Sequence, residues 1–145
     1  MPVTGHCLCR AITYEYDAKP NWTVYCHCES CRRAASAPAV PWISIPRPAF
    51  RFTHGTPRSF ASSPGVKRTF CGTCGSPLTH EADRIPDEVH VHALSLTDPS
   101  SLTPSMHVYA QEQLSWFEVA DGLPRYAATE RGGARPLHHG PRTKT

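Results

Sequence analysis

The chain contains no apolar run approaching the ~20 residues that a membrane-spanning helix requires. Its opening residues, Met1-Pro2-Val3-Thr4-Gly5, carry no basic stretch followed by an apolar one. A secretory signal is therefore not expected, and the expected location is cytoplasmic, without a membrane partner. Charge is sparse, at 19% of residues with a formal net charge of +3. Basic residues form no stripe interleaved with aromatics, so nucleic acid is not the expected partner. No internal repeat is present. Good conditions for long helices are also missing, because 15 of 145 residues are proline, about twice ordinary usage. Each proline fixes φ and removes an amide donor, which favours turns over long helices. Hydrophobic residues reach 39%, enough for one modest core in one domain. A loop-rich chain with so small a core needs a staple, and a bound metal is one.

Cysteine is what the chain does have. All seven cysteines fall in three clusters: Cys7 and Cys9 as CxC, Cys26, Cys28 and Cys31 as CxCxxC, and Cys71 and Cys74 as CxxC followed by Gly75. Packing thiols would be scattered. An odd number in a reducing compartment also argues against a disulfide framework. Metal ligation is the simplest cause. Zinc prefers four tetrahedral ligands, and thiolate is the favoured donor in structural sites. Cys71-Gly72-Thr73-Cys74-Gly75 has the spacing of a zinc knuckle, with Gly75 free to turn left-handed. A knuckle supplies half a site. The other half comes from Cys7 and Cys9 or from the central run, and spacing alone does not choose. If Cys7 and Cys9 fill it, a closed structural site results, and Cys26, Cys28 and Cys31 remain as three ligands with an open position. An open position is the signature of a catalytic zinc. Three thiolates favour a soft fourth partner such as a substrate thiol. Arg32 and Arg33, directly after Cys31, would offset the negative charge or bind the carboxylates of an acidic thiol.

The rest of the chain reads as mainly β. Ile12, Tyr14 and Tyr16 alternate with polar residues, the period of a half-buried strand. Strands are also expected at residues 22–25, 42–45, 50–52, 66–70 and 88–94, with late fragments at 107–109 and 116–117. Residues 29–35 suit one or two helical turns, which Pro38 and Pro41 limit. Ser62-Ser63-Pro64-Gly65 and Asp98-Pro99-Ser100 are expected turns, and residues 82–86 a polar loop. His27, between two candidate ligands on an extended segment, is expected to point away from the metal. His6, His90, His92 and His107 are expected as strand or surface residues, and His138 and His139 as tail residues. Trp42, Phe50, Phe52, Trp116 and Phe117 are expected to pack in the core. His27 and Glu29 are candidate bases by proximity. The expected domain spans residues 1–128, followed by a flexible tail over 129–145.

Taken together, Gly5-x-Cys7-x-Cys9, Cys26-His27-Cys28-x-x-Cys31-Arg32-Arg33 and Arg68-x-Phe70-Cys71-x-x-Cys74-Gly75 closely resemble the glutathione-dependent formaldehyde-activating enzyme family. Phe50 near Gly55, the Ser63-Pro64-Gly65 turn, Leu96-x-Asp98-Pro99 and Trp116 before Asp121-Gly122-Leu123-Pro124 extend the likeness over residues 3–126. The chain departs at Ala34-Ala35-Ser36, where the family usually has glycine, and at Val108-Tyr109 and Ser115-Trp116, where Ile-Trp and Pro-Trp are common. The resemblance implies a small zinc-stabilised β-tent with two zinc ions, one structural on Cys7, Cys9, Cys71 and Cys74 and one catalytic on Cys26, Cys28 and Cys31. It implies a carbon–sulfur lyase, with glutathione as the thiol substrate and formaldehyde as the aldehyde, giving S-hydroxymethylglutathione. The alternative is a non-catalytic zinc-stabilised binding module, since a relative of that family, centromere protein V, associates with chromatin and microtubules.

Overall fold

The computed structural model describes residues 1–129 and the backbone of Pro136–His139. In chain order its elements are β1 (Val3–His6), β2 (Thr13–Tyr16), β3 (Trp22–Cys26), α1 (Glu29–Ala35), β4 (Val40–Pro46) and β5 (Phe50–His54). Then follow β6 (Arg58–Ser63), β7 (Val66–Phe70), β8 (Pro77–Ala82), β9 (Glu88–His92), β10 (Met106–Val108), β11 (Pro124–Tyr126) and β12 (Pro136–His139). The fold is mainly β with a single α-helix among the described residues, as the sequence leads one to expect. None of these residues forms a helix long and apolar enough to cross a membrane.

The chain gathers into two compact units, the first built from Met1–Trp22 and Ile43–Thr103. In it, β1, β2 and β5 form an antiparallel sheet with β2 in the middle. Alternation in β2 turns Tyr14 and Tyr16 inward and leaves Thr13 and Glu15 part-exposed. The Tyr14 ring packs closely against Gly5 of β1, and its hydroxyl reaches Ser95 Oγ at 2.6 Å. A Cβ at Gly5 would sit 2.1 Å from Tyr14 Cζ, so only glycine lets the ring cover that strand. Ile43, Ile45, Leu78, Val89 and Val91 complete this core, with Phe50 and Phe52 packed against it. Each such side chain contributes about 1.5–3 kcal/mol by leaving water. Strands β6 to β9 form an antiparallel meander, and β6 turns into β7 through Pro64-Gly65, with Ser63 opposite Val66.

The second unit comprises Thr23–Trp42 and Pro104–Thr145. Strand β10 lies parallel to β3, pairing Val108 with Cys26, and parallel to β11, pairing His107 with Arg125. Such parallel pairs must come from distant segments, because a tight turn cannot join them. Strand β12 runs antiparallel to β11. The rest of the expected tail, His138 and His139 side chains included, lies outside the described residues.

Several expectations are corrected. Trp116 and Phe117 form neither strand nor core. They lie in an irregular segment, with Trp116 68% exposed. Ala82, expected in a polar loop, ends strand β8 and is buried. Strands β1, β6, β8, β11 and β12 were not anticipated. Residues 46–48 lead into one 3-10 turn, Arg47–Ala49.

Candidate metal centres

Two connections of the first unit bring four thiols together. Cys7 and Cys9 occupy the link from β1 to β2, and Cys71 and Cys74 the link from β7 to β8. Their sulfurs all lie within 4.8 Å of one another, so the group could hold a metal ion. Cys9 Sγ is 3.7 Å from both Cys7 Sγ and Cys71 Sγ. Zinc–sulfur bonds of about 2.3 Å in a tetrahedron place sulfurs about 3.8 Å apart, so the spacing fits zinc. The knuckle is closed by Gly75 N–H donating to the Cys71 carbonyl at 2.8 Å, with Gly75 at φ 79°. Amides of Ile12 and Thr73 point at the Cys7 and Cys71 sulfurs, each at 3.4 Å. The hydroxyl and amide of Ser76 hold the Cys74 thiol down at about 5. Amide donors of this kind stabilise thiolate, the form that binds metal.

Cys26, Cys28 and Cys31 form the second group, again with sulfurs within 4.8 Å of one another. Cys26 ends β3, Cys28 caps α1 and Cys31 sits in the first helical turn. The Cys31 amide donates to Cys28 Sγ at 3.4 Å, and Trp42 Nε1–H donates to Cys31 Sγ at 3.4 Å. The neighbouring Cys28 and Cys31 thiols, together with burial, push the Cys26 thiol strongly up. Three sulfurs this close ionise together only around a cation, which is what a metal supplies. All seven cysteines are free thiols. The sequence clusters thus divide four and three, with Cys7 and Cys9 meeting the knuckle.

The two arginines part company. Arg32 is committed to the backbone, donating from Nε to the His27 carbonyl at 3.0 Å and from Nη2 to the Glu112 carbonyl at 3.3 Å. Arg33 stands on the open side of α1, its side chain 79% exposed and 3.7 Å from Glu29. Glu112 also caps the helix, accepting from the Glu29 amide at 3.1 Å. None of His6, His90, His92 and His107 belongs to either thiol group. His6 lies in β1, His90 in β9 beside Glu88 at 2.9 Å, and His92 is buried at the end of β9.

A family model described as glutathione-dependent formaldehyde-activating enzyme matches residues 2–112. The chain belongs to this family. An uncharacterized lyase of Schizosaccharomyces pombe is 32% identical over 74 residues, which is 51% of this chain and 53% of that protein. The chain therefore spans about half the length of the curated relative it matches. A crystal structure of a Rhodobacter sphaeroides protein has the same fold, with a TM-score of 0.60 at 22% identity over 72% of this chain and 99% of that one.

In this member of the glutathione-dependent formaldehyde-activating family, one set of polar residues was not legible in the sequence. His27 is fully buried and is not part of the three-thiol group, with Nε2 2.8 Å from His107 Nδ1. His107 Nε2 in turn lies 3.0 Å from Asp121 Oδ2, and Arg125 Nη1 donates to Asp121 Oδ1 at 3.1 Å. Burial lowers His107 below its ordinary range, against the opposing pull of Asp121. Glu29, the other candidate base, is exposed beside Arg33. Asp121 and Arg125 fall beyond the stretch matched by the family model. Only the Asp121-Gly122-Leu123-Pro124 motif hinted that this region matters.

Proposed function

We propose that this protein is a zinc-dependent carbon–sulfur lyase-type enzyme that joins a small thiol such as glutathione to an aldehyde such as formaldehyde. Family membership, and the lyase name carried by the Schizosaccharomyces pombe relative, support the reaction class. The observation that carries the reading is the donor count. Cys26, Cys28 and Cys31 offer three ligands, one fewer than the four zinc takes, whereas Cys7, Cys9, Cys71 and Cys74 offer a full set. Cys26, Cys28 and Cys31 would hold the zinc, which would supply a Lewis acid that favours a soft donor and keeps a thiol as thiolate near neutral pH.

The protein's own groups do the rest. The three cysteines present one ligand face, rigidly, because Cys26 is tied into β3 and Cys28 and Cys31 into the start of α1. Arg32, next to Cys31 in sequence and braced by two carbonyls, would offset the negative charge of the thiolate set. Arg33 is exposed and can exchange Glu29 for a substrate carboxylate, a charge-assisted contact suited to an acidic thiol such as glutathione. In the reaction a sulfur–carbon bond forms and the carbonyl π pair moves to oxygen. The proton given up by the thiol ends on that oxygen, giving the S-hydroxymethyl adduct. Cys7, Cys9, Cys71 and Cys74 would hold the other zinc, which would serve folding.

Exchange measurements of adduct formation, with and without protein across a panel of thiols, test this reading. Acceleration with a carboxylate-bearing thiol, lost in Cys28→Ser, is expected. Equal rates with and without protein for every thiol would overturn it.

A further inference from the structure

We propose that His107 and Asp121 are positioning residues for the Cys26-His27-Cys28 arm, holding the His27 ring so that the two flanking sulfurs face the third at Cys31. The inference rests on reading the three-thiol group as a metal centre. It begins from the direction of the hydrogen bonds. Asp121 accepts from Arg125 Nη1 and from the Leu123 amide, both at 3.1 Å, so its carboxylate is an acceptor. His107 Nε2 therefore donates to it at 3.0 Å. A neutral imidazole that donates from one nitrogen accepts at the other. His107 Nδ1 is thus the acceptor, and His27 Nε2–H must donate to it at 2.8 Å.

Every link is anchored. Arg125, fully buried, also donates to the carbonyls of Leu123 at 2.9 Å and Val119 at 2.6 Å. His107 stacks on Tyr25, ring centres 4.8 Å apart. His27 is held at its backbone too, its amide donating to the Val108 carbonyl at 3.1 Å and its carbonyl accepting from Arg32. On an extended segment successive side chains point to opposite sides. Holding His27 to one side therefore sets Cys26 and Cys28 on the other. Stability alone gives little reason for this chain, because buried polar groups contribute less than well-packed apolar ones of the same volume. Groups hydrogen-bonded to a metal's ligands tune its affinity by about 10–100-fold, and here the support would reach two ligands through the residue between them.

Cobalt titration of the full chain, followed by thiolate-to-cobalt absorption, tests the proposal with the four-thiol group as internal reference. His107→Phe keeps the ring stack and removes both nitrogens. It should weaken cobalt at the three-thiol group about 10–100-fold and leave the four-thiol group unchanged. Should that variant not fold, Asp121→Asn keeps a weaker acceptor for His107 and should show a smaller loss at the same group. In the unaltered protein, imidazole nitrogen resonances should show His27 and His107 each protonated at Nε2 alone. Unchanged cobalt affinity in a folded variant, or protonation of His107 at Nδ1, would overturn the positioning role while leaving the metal centre standing. Absence of any cobalt band from the three-thiol group in the unaltered protein would instead remove the metal centre and the positioning role with it.

Discussion

The sulfurs of Cys9 and Cys71, 62 residues apart in sequence, lie 3.7 Å from each other. That approach joins the β1–β2 link to the β7–β8 knuckle and, with Cys7 and Cys74, gathers four thiols that could hold a metal ion. A metal ion there would be worth on the order of 10 kcal/mol to folding, comparable to the whole stability of a small domain. Cys74→Ser should therefore yield a protein that is unfolded or melts far below the unaltered one, checked by thermal circular dichroism. A variant melting within a few degrees of the unaltered protein would show that the group does not staple the fold.

Cys28→Ser acts on the other group and should behave differently. Cys28 caps only a seven-residue helix, and losing a cap costs about 0.5–2 kcal/mol. The variant should fold, lose one metal equivalent and lose thiol binding, as read by elemental analysis and thiol titration. If Cys28→Ser and Cys74→Ser behave alike, the two groups do not divide the work.

Gly5 and Tyr14 should be coupled. Gly5→Ala drives a methyl group to 2.1 Å from the Tyr14 ring, and overpacking of this kind costs about 1–3 kcal/mol. Urea melts should show that loss, and Tyr14→Leu in the same chain should recover part of it. Additive losses in the double variant would contradict the contact.

His92 should impose an acid-side loss of stability. Burial first, then the charges of Arg68 and His80, hold it at about 3, below its ordinary value of 6.5. Between those values the unfolded chain binds a proton that the folded chain refuses, so stability rises with pH through that window. The loss on acidification is at most about 1.4 kcal/mol per pH unit and ends near the folded value. Ligand protonation also destabilises in acid, but His92→Asn keeps every cysteine. The difference between the two pH profiles of urea stability isolates His92, and identical slopes would contradict its neutral burial.

Particular residues show why much of this was legible in the sequence and the rest was not. The cysteine clusters were legible as candidate metal ligands because few other uses of cysteine produce CxC, CxCxxC and CxxCG together. Glu29–Ala35 was readable as a helix from local propensity, and Pro64-Gly65 as a turn from fixed φ. Strand β6 was not, since all six of its residues are exposed and show no alternation. Strand β8 opens on Pro77, which argues against strand, and Trp116 looks like core by type yet lies on the surface. The His27–His107–Asp121 chain spans 80 residues in its first link alone. Nothing local in the sequence encodes a pairing set by two parallel strands meeting across the fold.

Metal counting combined with thiol titration of the cobalt-loaded protein tests the four-and-three division most directly. Two metal equivalents per chain are predicted, with millimolar glutathione shifting the absorption of one and leaving the other untouched. A single equivalent, or two equivalents that both ignore the thiol, would contradict it.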